Sequence, residues 1–130
     1  MTEKKKLFVG VDDSLVNREI FKEAARLCEM DVVTSENGQL AFERIQDIMA
    51  EGKIPELIIT DIHMPVMNGV EFIQKIKNTP ATKYIPMVVL TTEKDDETKN
   101  RCKQLGAAGW INKPLTPGQV AAVIKKFIRL

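Results

Sequence analysis

The sequence predicts a doubly wound α/β domain, a five-stranded parallel sheet with five helices covering both faces. Two observations predict it. Apolar runs bounded by turn or acidic residues recur at 7–11, 32–34, 57–60, 87–91 and 109–112. Stretches of helical period separate them, so strands and helices alternate along the chain. At 130 residues the chain suits one domain, long enough to bury roughly two-thirds of its unfolded surface. No linker, internal repeat or low-complexity tract interrupts the alternation.

Each element has its own justification. The first run, Leu7-Phe8-Val9-Gly10-Val11, leads to a helix with Ser14 as N-cap and Val16, Ile20, Ala24 and Leu27 as its expected apolar side. Val32-Val33-Thr34 forms the second strand. A helix starting near Asn37-Gly38 follows, with Ala41, Ile45 and Ile48 inward. The third strand, Leu57-Ile58-Ile59-Thr60, precedes a helix that places Val70, Ile73 and Ile76 on one side. After the fourth run, at 87–91, a mostly polar helix is expected from Asp95 to Leu105, with Thr98, Cys102 and Leu105 as its sparse apolar side. The last run, Gly109-Trp110-Ile111-Asn112, feeds a helix carrying Val120, Val123, Ile124, Phe127 and Ile128, with Pro117 in its first turn and running to Leu130. Parallel strands joined by right-handed crossovers leave few topologies.

Composition excludes several functions. Apolar residues at 44% and charged residues at 28% are ordinary for a soluble globular domain. A net charge of +1 gives no electrostatic footprint for nucleic acid, and Lys4-Lys5-Lys6 reads as a solvated edge. No apolar stretch approaches the ~20 residues of a membrane span. The N-terminal apolar run is too short for a signal-peptide core. A cytoplasmic address without nucleic-acid or membrane partners is expected. Cys28 and Cys102 have no partner at zinc-ligand spacing and read as small buried hydrophobes.

Function is read from the strand ends. Asp12-Asp13 follow the first apolar run, Asp61 the third, Thr91 ends the fourth, and Lys113-Pro114 follow the fifth. Open parallel sheets bind ligands outside the carboxyl ends of their strands, at the topological switch point. The second strand offers no such group, which fits the flavodoxin-like order 2-1-3-4-5 that leaves this strand outside the cluster. Three carboxylates stay ionised together only with positive charge among them. Asp12, Asp13 and Asp61 are hard oxygen donors suited to Mg²⁺. Lys113 and Thr91 can hold phosphoryl oxygens, and Asp61 can act as nucleophile to form an acyl phosphate. Phosphoryl transfer needs mainly positioning and charge neutralisation, which this set supplies. Singly, each group has a plain structural reading: helix caps for Asp12 and Asp13, a β-former for Thr91, a surface charge for Lys113. Their joint placement on four strand ends favours the functional one.

Asp12-Asp13-Ser14, Asp61 with Met64-Pro65 and Asn68-Gly69, Thr91, and Lys113-Pro114 together resemble the receiver domain of two-component response regulators. The resemblance covers essentially the whole chain. It implies that Asp61 accepts a phosphoryl group from a histidine kinase. It also implies that Asp13, Asp61 and the backbone carbonyl of His63 ligate Mg²⁺, with Asp12 acting mostly through water. Thr91 and Lys113 would contact phosphoryl oxygens, and the Lys113-Pro114 peptide would be cis. Trp110 occupies the aromatic switch position: as Thr91 moves inward, the Trp110 ring would turn, reshaping the face of the fourth helix, fifth strand and fifth helix for a partner. His63, Thr92 and Glu93 stand at positions that tune phosphoryl lifetime or access.

No effector segment follows the fifth helix, so a stand-alone, monomeric receiver is expected, one that turns over no outside substrate. Thr91-Thr92-Glu93 and Gly106-Ala107-Ala108-Gly109-Trp110-Ile111 are similar to the chemotaxis subgroup, whose partner is the flagellar motor switch; Asn112 and Leu115 depart from it. A phosphorelay shuttle, or a receiver cut from a larger regulator or hybrid kinase, is the alternative. A haloacid-dehalogenase-type phosphatase would carry a second aspartate where His63 stands. A flavin carrier would find its phosphate repelled by the acids.

Overall fold

The computed structural model describes residues 5–129. Five parallel strands form one sheet in the order β2-β1-β3-β4-β5: β1 Leu7–Val11, β2 Asp31–Ser35, β3 Leu57–Asp61, β4 Met87–Thr91 and β5 Gly109–Asn112. Helices α1 Leu15–Leu27, α2 Gly38–Ala50, α3 Gly69–Asn78, α4 Asp96–Gln104 and α5 Pro117–Phe127 join or follow them. This is the doubly wound order expected from the strand ends. Several boundaries differ from expectation: β2 runs one residue further at each end and α4 stops at Gln104. β3 extends to include Asp61, α4 starts after a 3-10 turn at Glu93–Asp95, and α5 ends at Phe127. Leu130 and Lys4 lie outside the described residues, while Lys5 and Lys6 are exposed.

The central strands β1, β3 and β4 are buried along their whole length, because helices cover both faces of a parallel sheet. Alternation along the strands splits the core into two layers. Phe8, Leu57, Ile59, Val88 and Leu90 face α1 and α5, meeting Phe21, Ala24, Val120 and Ile124. Val9, Ile58 and Met87 face the other way, toward Ala41, Ile45, Phe72, Ile73 and Cys102. Both cysteines are free and buried, and burial pushes both thiols up from their ordinary pKa.

The apolar side expected for α1 needs correction. Val16 and Leu27 are 68% and 54% exposed, while Phe21, Ala24, Ala25 and Cys28 are buried. The Phe21 ring decides the rotation of the helix. It packs edge-on against Phe8, with centroids 6.5 Å apart, and lies over Gly10, where a Cβ would fall 2.4 Å from the ring. Fully burying such a side chain contributes about 1.5–3 kcal/mol. On α2 and α3 Ala41, Ile45, Ile73 and Ile76 face inward as expected, joined by Phe42 and Phe72. Val70 packs against the core partly buried, whereas Ile48 is half-buried outside the core clusters.

Helix starts are fixed locally. Ser14 and Asn37 cap α1 and α2, accepting from Asn17 N and Leu40 N. Asn68 with Glu71, and Thr116 with Gln119, form reciprocal capping boxes on α3 and α5. These caps hold the loops that follow β1, β3 and β5 at one edge of the sheet.

Candidate functional site

Strand register brings the polar strand ends together. Val11 pairs with Thr60, and Asp61 pairs with Leu90, so Asp12, Asp61 and Thr91 line one edge. The carboxylate oxygens of Asp12, Asp13 and Asp61 come within 4.8 Å of one another. Asp12 and Asp61 are buried, whereas Asp13 is exposed. Lys113, which follows β5, donates from Nζ to Asp61 Oδ2 at 2.9 Å and lies 3.9 Å from Asp12 Oδ2. The two buried acids of the three thus face the same ammonium.

Each buried carboxylate is held by specific donors. Ile62 N donates to Asp61 Oδ1 at 2.8 Å. Ser14 N and Asn17 Nδ2 donate to the two oxygens of Asp12, each at 2.9 Å, and Arg18 Nη1 donates to the Asp12 carbonyl at 3.0 Å. Ser14 supplies the helix cap, so the capping alternative for Asp12 falls away. Burial pushes the Asp12 carboxyl above its ordinary pKa. The Ser14 amide opposes that shift, and the neighbouring Asp61 charge adds to it. A buried acid held against its desolvation, beside two more oxygen donors, fits a hard divalent cation of the Mg²⁺ kind.

The loop after β3 is shaped to leave this edge open. Gly69 N donates to Ile62 O at 2.7 Å, and a Cβ on Gly69 would lie 2.4 Å from the Asp61 carbonyl, so only glycine lets α3 start this close. Met67 N donates to Pro65 O at 2.7 Å, closing a tight turn around Val66 at φ 68°. A β-branched residue in that region is strained by about 1–3 kcal/mol. The turn carries Met67 into the core-side packing beside Gly38.

The other side of Asp61 is built from β4 and β5. Thr91 is buried, and its hydroxyl donates to Asn112 Oδ1 at 3.2 Å; the two residues are partners in the β4–β5 register. Thr92 starts the 3-10 turn, and its amide and hydroxyl donate to Asp95 Oδ2 at 2.9 and 2.8 Å. The other oxygen of Asp95 lies 2.7 Å from His63 Nε2. Burial works to raise the pKa of Asp95, but the bonds from His63 and Thr92 outweigh it, and the carboxyl lies below its ordinary value. His63 therefore clasps the β4–α4 loop from the rim, its side chain 71% exposed.

The remaining expected residues are also placed. The Lys113-Pro114 peptide is cis. Glu93 is exposed on the 3-10 turn. Trp110 is exposed on the α4–β5–α5 side, with the Lys103 and Lys99 ammoniums 4.0 and 4.9 Å from its ring centroid. Sequence reading missed Asp95 and Asn112. The spacing Thr92-Glu93-Lys94-Asp95 carries a capping-box signal that marks Asp95. Asn112 becomes visible only once the β4–β5 register is known.

Comparison with known proteins fits this geometry. Residues 8–125 match the sequence profile of the response regulator receiver domain. Hybrid signal transduction histidine kinase M of Dictyostelium discoideum is 34% identical over 121 residues, which are 91% of this chain and 5% of that protein. Two-component response regulator ORR5 of Oryza sativa subsp. japonica is 31% identical over 121 residues, 93% of this chain and 87% of the regulator. Among solved structures, chemotaxis response regulator CheY4 of Vibrio cholerae superposes with a TM-score of 0.82 at 29% identity, covering 96% of this chain and 100% of that one. The phosphorylated cyanobacterial phytochrome response regulator RcpA gives 0.83 at 26% identity, covering 98% and 96%.

Proposed function

The chain belongs to the response regulator receiver domain family, and we propose that it works as a phosphorylation switch whose acceptor is Asp61. One observation carries this reading: Asp61 accepts a hydrogen bond from Lys113 at 2.9 Å while its carboxylate also lies against those of Asp12 and Asp13. A nucleophile between a cation and a metal-type acid cluster is what phosphoryl transfer needs. The flavin-carrier and phosphatase alternatives lapse with family membership.

In the proposed reaction an Asp61 carboxylate oxygen attacks the phosphorus of a phosphohistidine on a histidine kinase. The new P–O bond forms as the P–N bond breaks, and the imidazole keeps the electron pair and takes up a proton. Asp13, Asp61 and the His63 carbonyl would hold Mg²⁺, with Asp12 oriented toward it by Ser14 and Asn17. When bound, the ion neutralises charge on the transferring group. Lys113 exchanges its contact with Asp61 Oδ2 for a phosphoryl oxygen, and Thr91 donates to another. His63, Thr92 and Glu93, on the rim, set water access and hence lifetime. In this reading the protein acts as a switch on its own aspartate and not on outside substrates, and works as a cytoplasmic monomer.

The output reading follows from the far side of Thr91. Movement of Thr91 toward the phosphoryl group would couple to Trp110 and change the α4–β5–α5 face for a protein partner. The likeness to a chemotaxis regulator supports a flagellar motor switch as that partner. The hybrid-kinase relative supports a phosphorelay shuttle as the second reading. Incubation with a phosphorylated histidine-kinase domain tests the assignment. Label should pass to wild type and not to Asp61→Asn, and Mg²⁺-dependent label on that variant would refute it.

A further inference from the structure

The Thr91 hydroxyl has one proton to give, and in this protein it is already given. It donates to Asn112 Oδ1 at 3.2 Å, from a side chain that is 1% exposed. Asn112 is the register partner of Thr91, so its side chain leaves the sheet on the same face one strand away. Lys113 N donates to Thr91 O at 2.8 Å, which fixes the two backbones against each other. On the next residue, Thr92 is pinned through its amide and hydroxyl to Asp95, and Asp95 to His63. With the backbone tied on both sides, redirecting the hydroxyl means breaking the Asn112 bond.

We propose that Asn112 is a positioning residue that holds Thr91 in the resting state, competing with the phosphoryl group for the Thr91 proton. The inference rests on the reading of Asp61 as phosphoacceptor and adds a residue to it. A phosphoryl oxygen on Asp61 and the amide oxygen of Asn112 cannot both receive the same hydrogen. The activated state therefore gains one hydrogen bond to the phosphoryl group and loses one to Asn112. Apolar side chains at position 112 remove the competitor without removing Thr91, so they favour the activated state. Asn112 itself is exposed at the end of β5, an edge strand, where valine is a good strand former. The substitution takes from the buried Thr91 hydroxyl its resting acceptor and frees its proton for a phosphoryl oxygen.

The test is a beryllofluoride titration at saturating Mg²⁺, read by fluorescence of the single tryptophan, Trp110. Asn112→Val should bind the phosphoryl mimic about three- to ten-fold more tightly than wild type, the span that one modest hydrogen bond commands. In a Thr91→Ala background the same substitution should change nothing, because no proton is left to compete for. Methyl NMR of Thr91 should show its side-chain torsion redistributed in unliganded Asn112→Val. Asn112→Ala serves as a second variant with the same expected direction, and thermal melts confirm that each protein folds. Equal affinity in wild type and Asn112→Val, or equal tightening with and without the Thr91 hydroxyl, would overturn the proposal while leaving the acceptor in place. If wild type forms no adduct at Asp61 at all, the phosphoacceptor reading fails and this inference falls with it.

Discussion

The two flanks of Asp61 are built to opposite ends. On the β1 side, Asp12 has both oxygens and its carbonyl occupied by Ser14, Asn17 and Arg18, and the acids converge within 4.8 Å. That flank is set in advance for charge. On the β4–β5 side, Thr91 points its proton at Asn112, and Asp95 ties Thr92 to His63. That flank is tied to its own neighbours, and in the proposed reading it rearranges to meet a phosphoryl group. In the proposed reading the difference separates the chemistry of the site from its signal: the acids and Lys113 would let transfer occur, and the hydroxyl side would report it.

The strongest break in this contrast is Asp61→Asn, which removes the group both flanks serve. All Mg²⁺-dependent phosphorylation should be lost, as read by radiolabel from a kinase domain. Asp13→Ala should act on the acid flank alone, lowering Mg²⁺ affinity by more than about ten-fold, since even outer-shell partners of metal ligands cost that much. An unchanged metal titration would show that the exposed acid is only a solvated neighbour. Lys113→Ala should divide the flanks: metal binding stays close to wild type, while phosphorylation no longer alters affinity for an output partner. Full coupling in that variant would remove Lys113 from the switch.

Asp95→Ala gives the smallest effect and tests the clasp. Hydrogen bonds to a carboxylate are worth about 1.5–3 kcal/mol when well shielded, and the exposed His63 places this set at the low end. The folded pKa of Asp95 lies below its ordinary value, so its stabilisation is present above about pH 3.9, the unfolded value, and is lost as pH falls through the folded one. Urea midpoints of wild type and variant should differ by a constant amount near neutral pH and converge in acid. A gap that persists below both values would mean that the contribution is not electrostatic.

The legibility of this protein in its sequence divides along the same line. Strand order and the positions of Asp12, Asp13, Asp61, Thr91 and Lys113 could be read because each closes an apolar run, and run ends share one edge of a parallel sheet. The face of α1 was not readable from period alone. Val16 and Leu27 match a helical stripe as well as Phe21 and Cys28 do, and only the close approach of the Phe21 ring to Gly10 chooses between them. Asp95 reads as the start of a helix, yet it makes no side-chain cap on α4 and instead bridges to His63, 32 residues earlier. Asn112 reads as a departure from a family pattern until register sets it beside Thr91. Contacts between loops depend on three-dimensional placement that local patterns do not encode.

The most direct test is peptide mapping by mass spectrometry after exposure to acetyl phosphate with Mg²⁺, under conditions that preserve acyl phosphates. A single phosphoryl adduct on the peptide containing Asp61, absent with a chelator, is the predicted result. An adduct on Asp12 or Asp13 instead, or none on a folded protein under conditions that label another receiver, would contradict Asp61 as the acceptor.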